Sequence, residues 1–333
     1  MKKQIVAAAV AATMSAVALA DISITGAAKV NYTNVDADTN TTTTTNRFTQ
    51  EMDLKVKGKK GDTEVVINFG GAGLDNTAST SSAQSGSMNV EDVYLTSNVM
   101  GVSVKAGTWD NGNNELRASA RNNGKLQAGT SVGPLKLGFL TSSNGATSEE
   151  FTVGTDLAGV ALSYTKKAAG ETVKASTSVG GVNVKYLGLP ADAANKDRTY
   201  VEISTDLGGV GLKVGSAKAE SAATLEGDTW LGDFEHSAAV KASRTAANPL
   251  PMYLDAGQDI MGVELSTSLA GNKVAFRNVS VDDVAGKDMD INKLIVTRPL
   301  ASGATFELTY TELDSDRTNA DSSTLDLELA VSF

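Results

Sequence analysis

The chain has 333 residues, 39 acidic against 29 basic side chains, a formal net charge of −10 and no cysteine. That balance argues against nucleic acid as a partner, and in an exported chain the missing thiols rule out a disulfide scaffold and any thiolate metal site. Five prolines against 32 glycines suit many strands joined by tight turns.

Met1 to Ala20 reads as a signal peptide: Lys2 and Lys3 give a positive start, Ile5 to Val17 an apolar run, and Ala18-Leu19-Ala20 a small-x-small cleavage site. The run is shorter than the roughly 20 apolar residues of a membrane helix, and no other segment approaches that length. Residues 21–333 then form one exported domain. Losing Lys2 and Lys3 leaves 27 basic against 39 acidic side chains, a net charge of −12.

From Asp21 the residues alternate. Ile22, Ile24, Gly26, Ala28, Val30 and Tyr32 share one face of a predicted strand, with Ser23, Thr25, Lys29 and Asn31 on the other. The next strand sets Phe48, Met52, Leu54 and Val56 against Arg47, Thr49, Glu51, Asp53, Lys55 and Lys57. Charges on a strand buried on both faces are costly without partners, whereas charges facing water are not. The pattern continues through Val65/Ile67/Phe69, Val160/Leu162/Tyr164 and Phe306/Leu308/Tyr310, giving roughly eighteen candidate strands.

The strands are joined in two styles. Val99-Met100-Gly101-Val102, Val132-Gly133-Pro134-Leu135, Leu157-Ala158-Gly159-Val160, Val179-Gly180-Gly181-Val182, Leu207-Gly208-Gly209-Val210 and Leu269-Ala270-Gly271-Asn272 read as tight hairpin turns. The alternate connections are long and polar: 36–46, 72–87, 141–148, 190–197, 282–288 and 313–322. Tight turns at one end and long loops at the other are the asymmetry of an outer-membrane barrel. Residues 219–258 break the rhythm; they hold Trp230 and the sole histidine, His236, and are predicted to be one long loop. Tyr32, Tyr94, Tyr164, Tyr186, Tyr200 and Tyr310 fall near strand ends and are expected to form a thin interfacial girdle. The chain closes on Leu325, Leu327, Leu329, Val331 and Phe333, all on one face.

The opening Asp21 to Val30, the hairpin Glu91 to Leu95 with Val99 to Gly107, and the closing Leu325 to Phe333 resemble the general bacterial porins, trimeric outer-membrane channels. The resemblance implies an all-β, antiparallel up-and-down transmembrane barrel of sixteen strands, against the eighteen that alternation allows. It further implies a homotrimer in contact with outer-membrane lipid and lipopolysaccharide, and a third loop folded into the lumen. Here that loop is 109–121. Asp110 and Glu115 would be its acids, Arg117 and Arg121 accompany them, and Lys29, Arg47, Lys55 and Lys105 face inward by alternation as the opposing basic wall.

The expected function is passive diffusion of small hydrophilic solutes and ions through a water-filled pore, with weak cation preference from the acidic mouth. The alternative is a secreted, soluble β-rich surface-layer or adhesin protein. An enzyme is not expected: His236, flanked by Glu235 and Ser237 on a strand-like stretch, makes a poor triad. No cofactor is expected either. Asp36, Asp38 and Asn40 begin like a calcium loop, but Thr41 and Arg47 stand where glycine and glutamate belong, so no dedicated metal site is predicted.

Overall fold

A computed structural model describes residues 21–37, 43–71, 76–77, 88–110, 122–143, 149–167, 170–190, 197–220, 230–231, 257, 259–282, 288–316 and 321–333. Nineteen strands among them join one antiparallel sheet. They are β1 (Asp21–Ala37), β2 (Thr43–Lys60), β3 (Thr63–Gly71), β4 (Asn76–Thr77), β5 (Met88–Val99), β6 (Val102–Trp109), β7 (Asn122–Val132), β8 (Leu135–Ser142), β9 (Glu150–Leu157), β10 (Val160–Lys167), β11 (Gly170–Val179) and β12 (Val182–Leu189). β13 (Arg198–Asp206), β14 (Val210–Ala219), β15 (Asp259–Leu269), β16 (Asn272–Asp282), β17 (Met289–Pro299), β18 (Ala304–Ser315) and β19 (Ser322–Ser332) complete the set. β4 is a two-residue spur on β2; every other strand pairs with its sequence neighbours, and β1 also pairs with β19. The sheet is therefore a closed barrel with eighteen strands in its wall. The alternation count holds, and the sixteen implied by the porin resemblance do not. Eighteen strands about 4.8 Å apart, tilted about 40°, give a mean radius on the order of 18 Å, too wide for side chains to fill.

The barrel is sewn shut at its last residue. The Phe333 amide donates to the Gly26 carbonyl at 3.0 Å, and the Phe333 carbonyl accepts from the Gly26 amide at 2.8 Å. A Cβ on Gly26 would stand 2.6 Å from the Phe333 ring, so this glycine is the seat of the terminal aromatic.

The predicted hairpin turns all form. Met100-Gly101, Ala158-Gly159 and Ala270-Gly271 each hold two consecutive positive φ angles, as do Gly180-Gly181 and Gly208-Gly209. This is the turn geometry that matches strand twist. A threonine on the next strand closes three of them: Thr130, Thr177 and Thr267 donate to the carbonyls of Gly101, Gly159 and Gly209 at 3.3, 3.0 and 3.0 Å. At the other end the strands run further than predicted. The threonine-rich stretch of 36–46 continues β1 to Ala37 and starts β2 at Thr43, because threonine suits the pleated surface.

Registers fix which face each residue takes. All seven described phenylalanines face outward: Phe48, Phe69, Phe139, Phe151, Phe276, Phe306 and Phe333. Tyr32–Phe48 and Phe139–Phe151 meet as cross-strand ring pairs, with centroids 4.8 and 5.1 Å apart. The predicted girdle is thinner than expected. Tyr94 and Tyr200 sit at inward registers, opposite Val66 and Leu187 respectively.

One half of the barrel departs from simple alternation. On β16 the apolar residues Val274 and Phe276 face out, yet Val279 and Val281 face in, with unbroken register on both sides. The same exchange occurs on β17 (Leu294 and Val296 out, Ile291 and Met289 in), β12 (Tyr186 out, Leu187 and Leu189 in) and β18 (Tyr310 out, Leu313 in). The outer face turns polar there: Asn278 bonds Asn292 at 3.0 Å, and Ser280 bonds Asp290. Towards the long-loop end, β12 to β18 thus carry an apolar lining inside the barrel. Bare, it would cost about 25 cal/mol per Å² facing water. It is buried, and Leu231 lies in its midst with 0% exposure.

Candidate functional site

The site is the lumen. Its wall carries charge unevenly, because inward positions on neighbouring strands bring like side chains together. From β6 to β12 the inward residues include Lys105, Lys125, Lys136, Lys174 and Lys185. They run from the long-loop end, at Lys125, to one residue from a tight turn, at Lys136. Lys105, Lys136 and Lys174 share a cavity of about 810 Å³ with Asp110, Glu150 and Asp156. Across the barrel, on β18, β19 and β2, the inward carboxylates are Glu307, Asp326, Glu328, Glu51 and Asp53, with Lys55, Lys57 and Lys59 on the same face of β2. The two groups face each other across the lumen.

Of the four predicted wall cations, Lys29 and Lys55 do face inward, but on the acidic side. Lys29 pairs with Glu51 at 2.8 Å and lies opposite Ala330, next to Glu328. Lys55 lies opposite Thr25 and Asn68, and its neighbour Lys57 reaches Glu64 at 3.8 Å. Arg47 occupies the inward register opposite Thr33. Lys105 belongs to the basic side. Of the predicted loop residues, Asp110 is exposed, and its amide donates to the Asp92 carboxylate at 3.2 Å. Glu115, Arg117 and Arg121 lie outside the described residues, as do the signal peptide and His236.

Neither tryptophan stood out in the sequence as a lumen residue. Trp109 shares the inward face of β6 with Lys105, beside a register shift against β7, and is 3% exposed. Its ring meets Tyr94 edge-on at 6.2 Å. Lys105 Nζ lies 3.9 Å from the Tyr94 centroid and 4.4 Å from that of Trp109, and Lys125 Nζ donates to the Trp109 carbonyl at 2.6 Å. Such cation–ring contacts gain strength where water is excluded.

The second seat lies on β13 to β16. Gly215 and Gly262 are directly paired and both face inward, leaving a slot in the wall. Trp230 lies in it; a Cβ on Gly215 would stand 2.7 Å from the indole. The indole Nε1 donates to Glu202 Oε2 at 2.9 Å and Tyr200 Oη at 3.0 Å, while Tyr200 itself donates to Glu202 at 2.6 Å. Arg277 donates to the Trp230 carbonyl at 2.8 Å and to Glu264 through both Nε and Nη2, at 3.0 and 2.7 Å; Lys213 joins Glu264 at 3.1 Å. The signal for this seat was present in the sequence as the misplaced apolar residues of β16 and β17, one position out of phase with Phe276 and Leu294.

No protein-family model matches the chain, and no curated protein sequence does. Solved structures do. Pseudomonas aeruginosa OccK9 (OpdG) superposes with a TM-score of 0.64 at 13% identity, over 94% of this chain and 98% of its own. The outer membrane protein OprD of the same organism gives 0.62 at 11%, over 95% and 94%. OpdK, solved with vanillate, gives 0.63 at 12%, over 94% and 98%. At such identities the likeness is one of fold. The chain has the closed eighteen-strand barrel fold of bacterial outer-membrane channels, and its apolar exterior fits it to that membrane.

Proposed function

We propose that this chain is a passive channel of the outer membrane, conducting small hydrophilic solutes and ions through a water-filled lumen. The observation that carries the reading is a closed barrel with phenylalanine and aliphatic residues outside and lysine and carboxylate rows inside. Exposed apolar side chains such as Ile24, Val90, Leu157, Leu269 and Phe333 would be a liability for a secreted soluble protein and are what lipid requires. Pores of this kind select by width and by rows of charge. Assembly as a homotrimer set in lipopolysaccharide belongs to the same proposal, on the porin-like terminal strands.

Two selectivities compete in the lumen. The acidic excess of the chain favours cations among inorganic ions. The lysine row from β6 to β12 favours organic solutes bearing a carboxylate, and the structure of OpdK with vanillate makes vanillate a natural first solute to try. Planar-bilayer recording of the detergent-purified mature protein tests the whole reading. Conductance steps in triplets support a trimeric channel; a silent bilayer overturns the channel, and single steps overturn the trimer. In a KCl gradient, a reversal potential of anionic sign removes the cation preference and leaves the lysine row in control.

A further inference from the structure

The lipid-facing belt is not of one height. On β1 the outward positions from Ile22 through Val30 to Tyr32 carry no polar group beyond the tyrosine hydroxyl, and the polar edge comes at Asn34, which donates to Asn46 across the pair at 2.5 Å. On β16 only Val274 and Phe276 are apolar and outward, between Asn272 and Asn278. On β17 only Val296 and Leu294 are, between Arg298 and Asn292. At about 3.4 Å per residue and a tilt of about 40°, the step from Ile22 to Asn34 rises about 31 Å, and that from Asn272 to Asn278 about 16 Å. The usual belt of an outer-membrane barrel is about 25 Å tall. Either side of this pair the belt widens again. β15 keeps Leu265, Val263 and Met261 outward before Asp259, and β19 runs apolar from Val331 to Leu325 before Ser323.

We infer that β16 and β17 form a waist in the belt, where the barrel holds the bilayer locally thin, and that the lipid matching it has short acyl chains. The inference rests on the membrane half of the reading above and not on conduction. The upper edge of the waist is a cross-strand asparagine pair, Asn278 with Asn292 at 3.0 Å, built like Asn34 with Asn46 on the tall flank. Beyond it Ser280 bonds Asp290, and Glu312 and Asp314 continue the polar face onto β18. Drawing lipid down to this edge costs less than immersing the exposed Asp290 carboxylate in hydrocarbon. The edge side chains bond one another, and Phe276 and Leu294 remain 45% and 39% exposed, so the waist is a finished surface for acyl chains rather than half of a contact with a second copy.

The test uses the mature chain refolded into dilauroyl- or dioleoyl-phosphatidylcholine vesicles, with folding read by heat-modifiable migration on a gel. The chain has no cysteine, so a single introduced thiol places a nitroxide without ambiguity. A label at Asn278→Cys should stay accessible to a water-soluble nickel relaxant in both lipids, because the bilayer thins to meet it. Asn278→Val with Asn292→Val raises the belt at the waist and should lower the dilauroyl-to-dioleoyl ratio of folded yield roughly threefold. Asn34→Val with Asn46→Val, on the flank that is already tall, should leave the ratio unchanged. A label reached by oxygen but not by nickel in dioleoyl vesicles lies in hydrocarbon of ordinary thickness and overturns the waist. A label reached by neither is covered by a second copy, which overturns it as well, and an unmoved yield ratio in the first pair removes the preference for short chains. A parent that folds into vesicles yet stays silent in planar bilayers removes the channel and leaves the waist standing.

Discussion

Ala158 holds a positive φ of 52° one residue before Gly159, and Ala270 does the same at 50° before Gly271. A side chain with a Cβ in that region costs about 1–2 kcal/mol, which asparagine largely escapes. The Asp156 carboxylate already accepts from the Gly159 amide at 3.3 Å, so the turn is otherwise formed. Ala158→Asn and Ala270→Asn should therefore each stabilise the refolded barrel by up to about 1 kcal/mol, read as a higher urea midpoint for loss of the folded gel band. Gly159→Ala should go the other way by a similar amount, since a φ of 82° strains any residue that carries a Cβ. Equal midpoints for all three chains would show that these turns form after the step that limits stability.

At the level of the element, the seam between β1 and β19 depends on one glycine. Gly26→Val sets a branched side chain where the Phe333 ring lies, and should cost about 2–3 kcal/mol as ring and strand end are displaced. Phe333→Ala should lose a similar amount, and the double variant should lose little more than either, because both remove the same contact. Full additivity in urea titration would mean that the ring and the glycine act separately. The elements were largely legible beforehand. Strict alternation at Leu325 to Phe333 and the X-Gly turns gave the strands, their faces and the end at which they turn. Two features were not legible, for physical reasons. Tyr94 and Tyr200, expected in the girdle because tyrosine commonly serves at the interface, each support a tryptophan on the inward side instead. The slot at Gly215 and Gly262 is a cross-strand pairing 47 residues apart, which a single sequence does not display.

Taken whole, the lumen sets a row of lysines from β6 to β12 opposite a mixed wall on β18, β19, β1 and β2, where Glu307, Asp326, Glu328, Glu51 and Asp53 stand among Lys29, Lys55 and Lys57. Of the predicted wall cations, Lys105 alone falls on the basic side. The alternation that placed Lys29 inside could not show that Glu51 would stand beside it at 2.8 Å. Replacing Lys136, Lys174 and Lys185 with glutamine should move the KCl reversal potential towards cations and slow vanillate entry into proteoliposomes severalfold, the more so below physiological salt, where screening lengths exceed about 8 Å. No change in either would mean that solutes travel beyond reach of that wall. Towards the long-loop end the interior of β12 to β18 is covered by aliphatic packing around Leu231, which leaves the exposed polar lining at that level to the other strands. A lumen lined so unequally uncouples throughput from girth. An extra hairpin spliced into the packed flank would enlarge the tube and leave its current almost untouched, whereas one spliced between β8 and β11 would widen the stream itself.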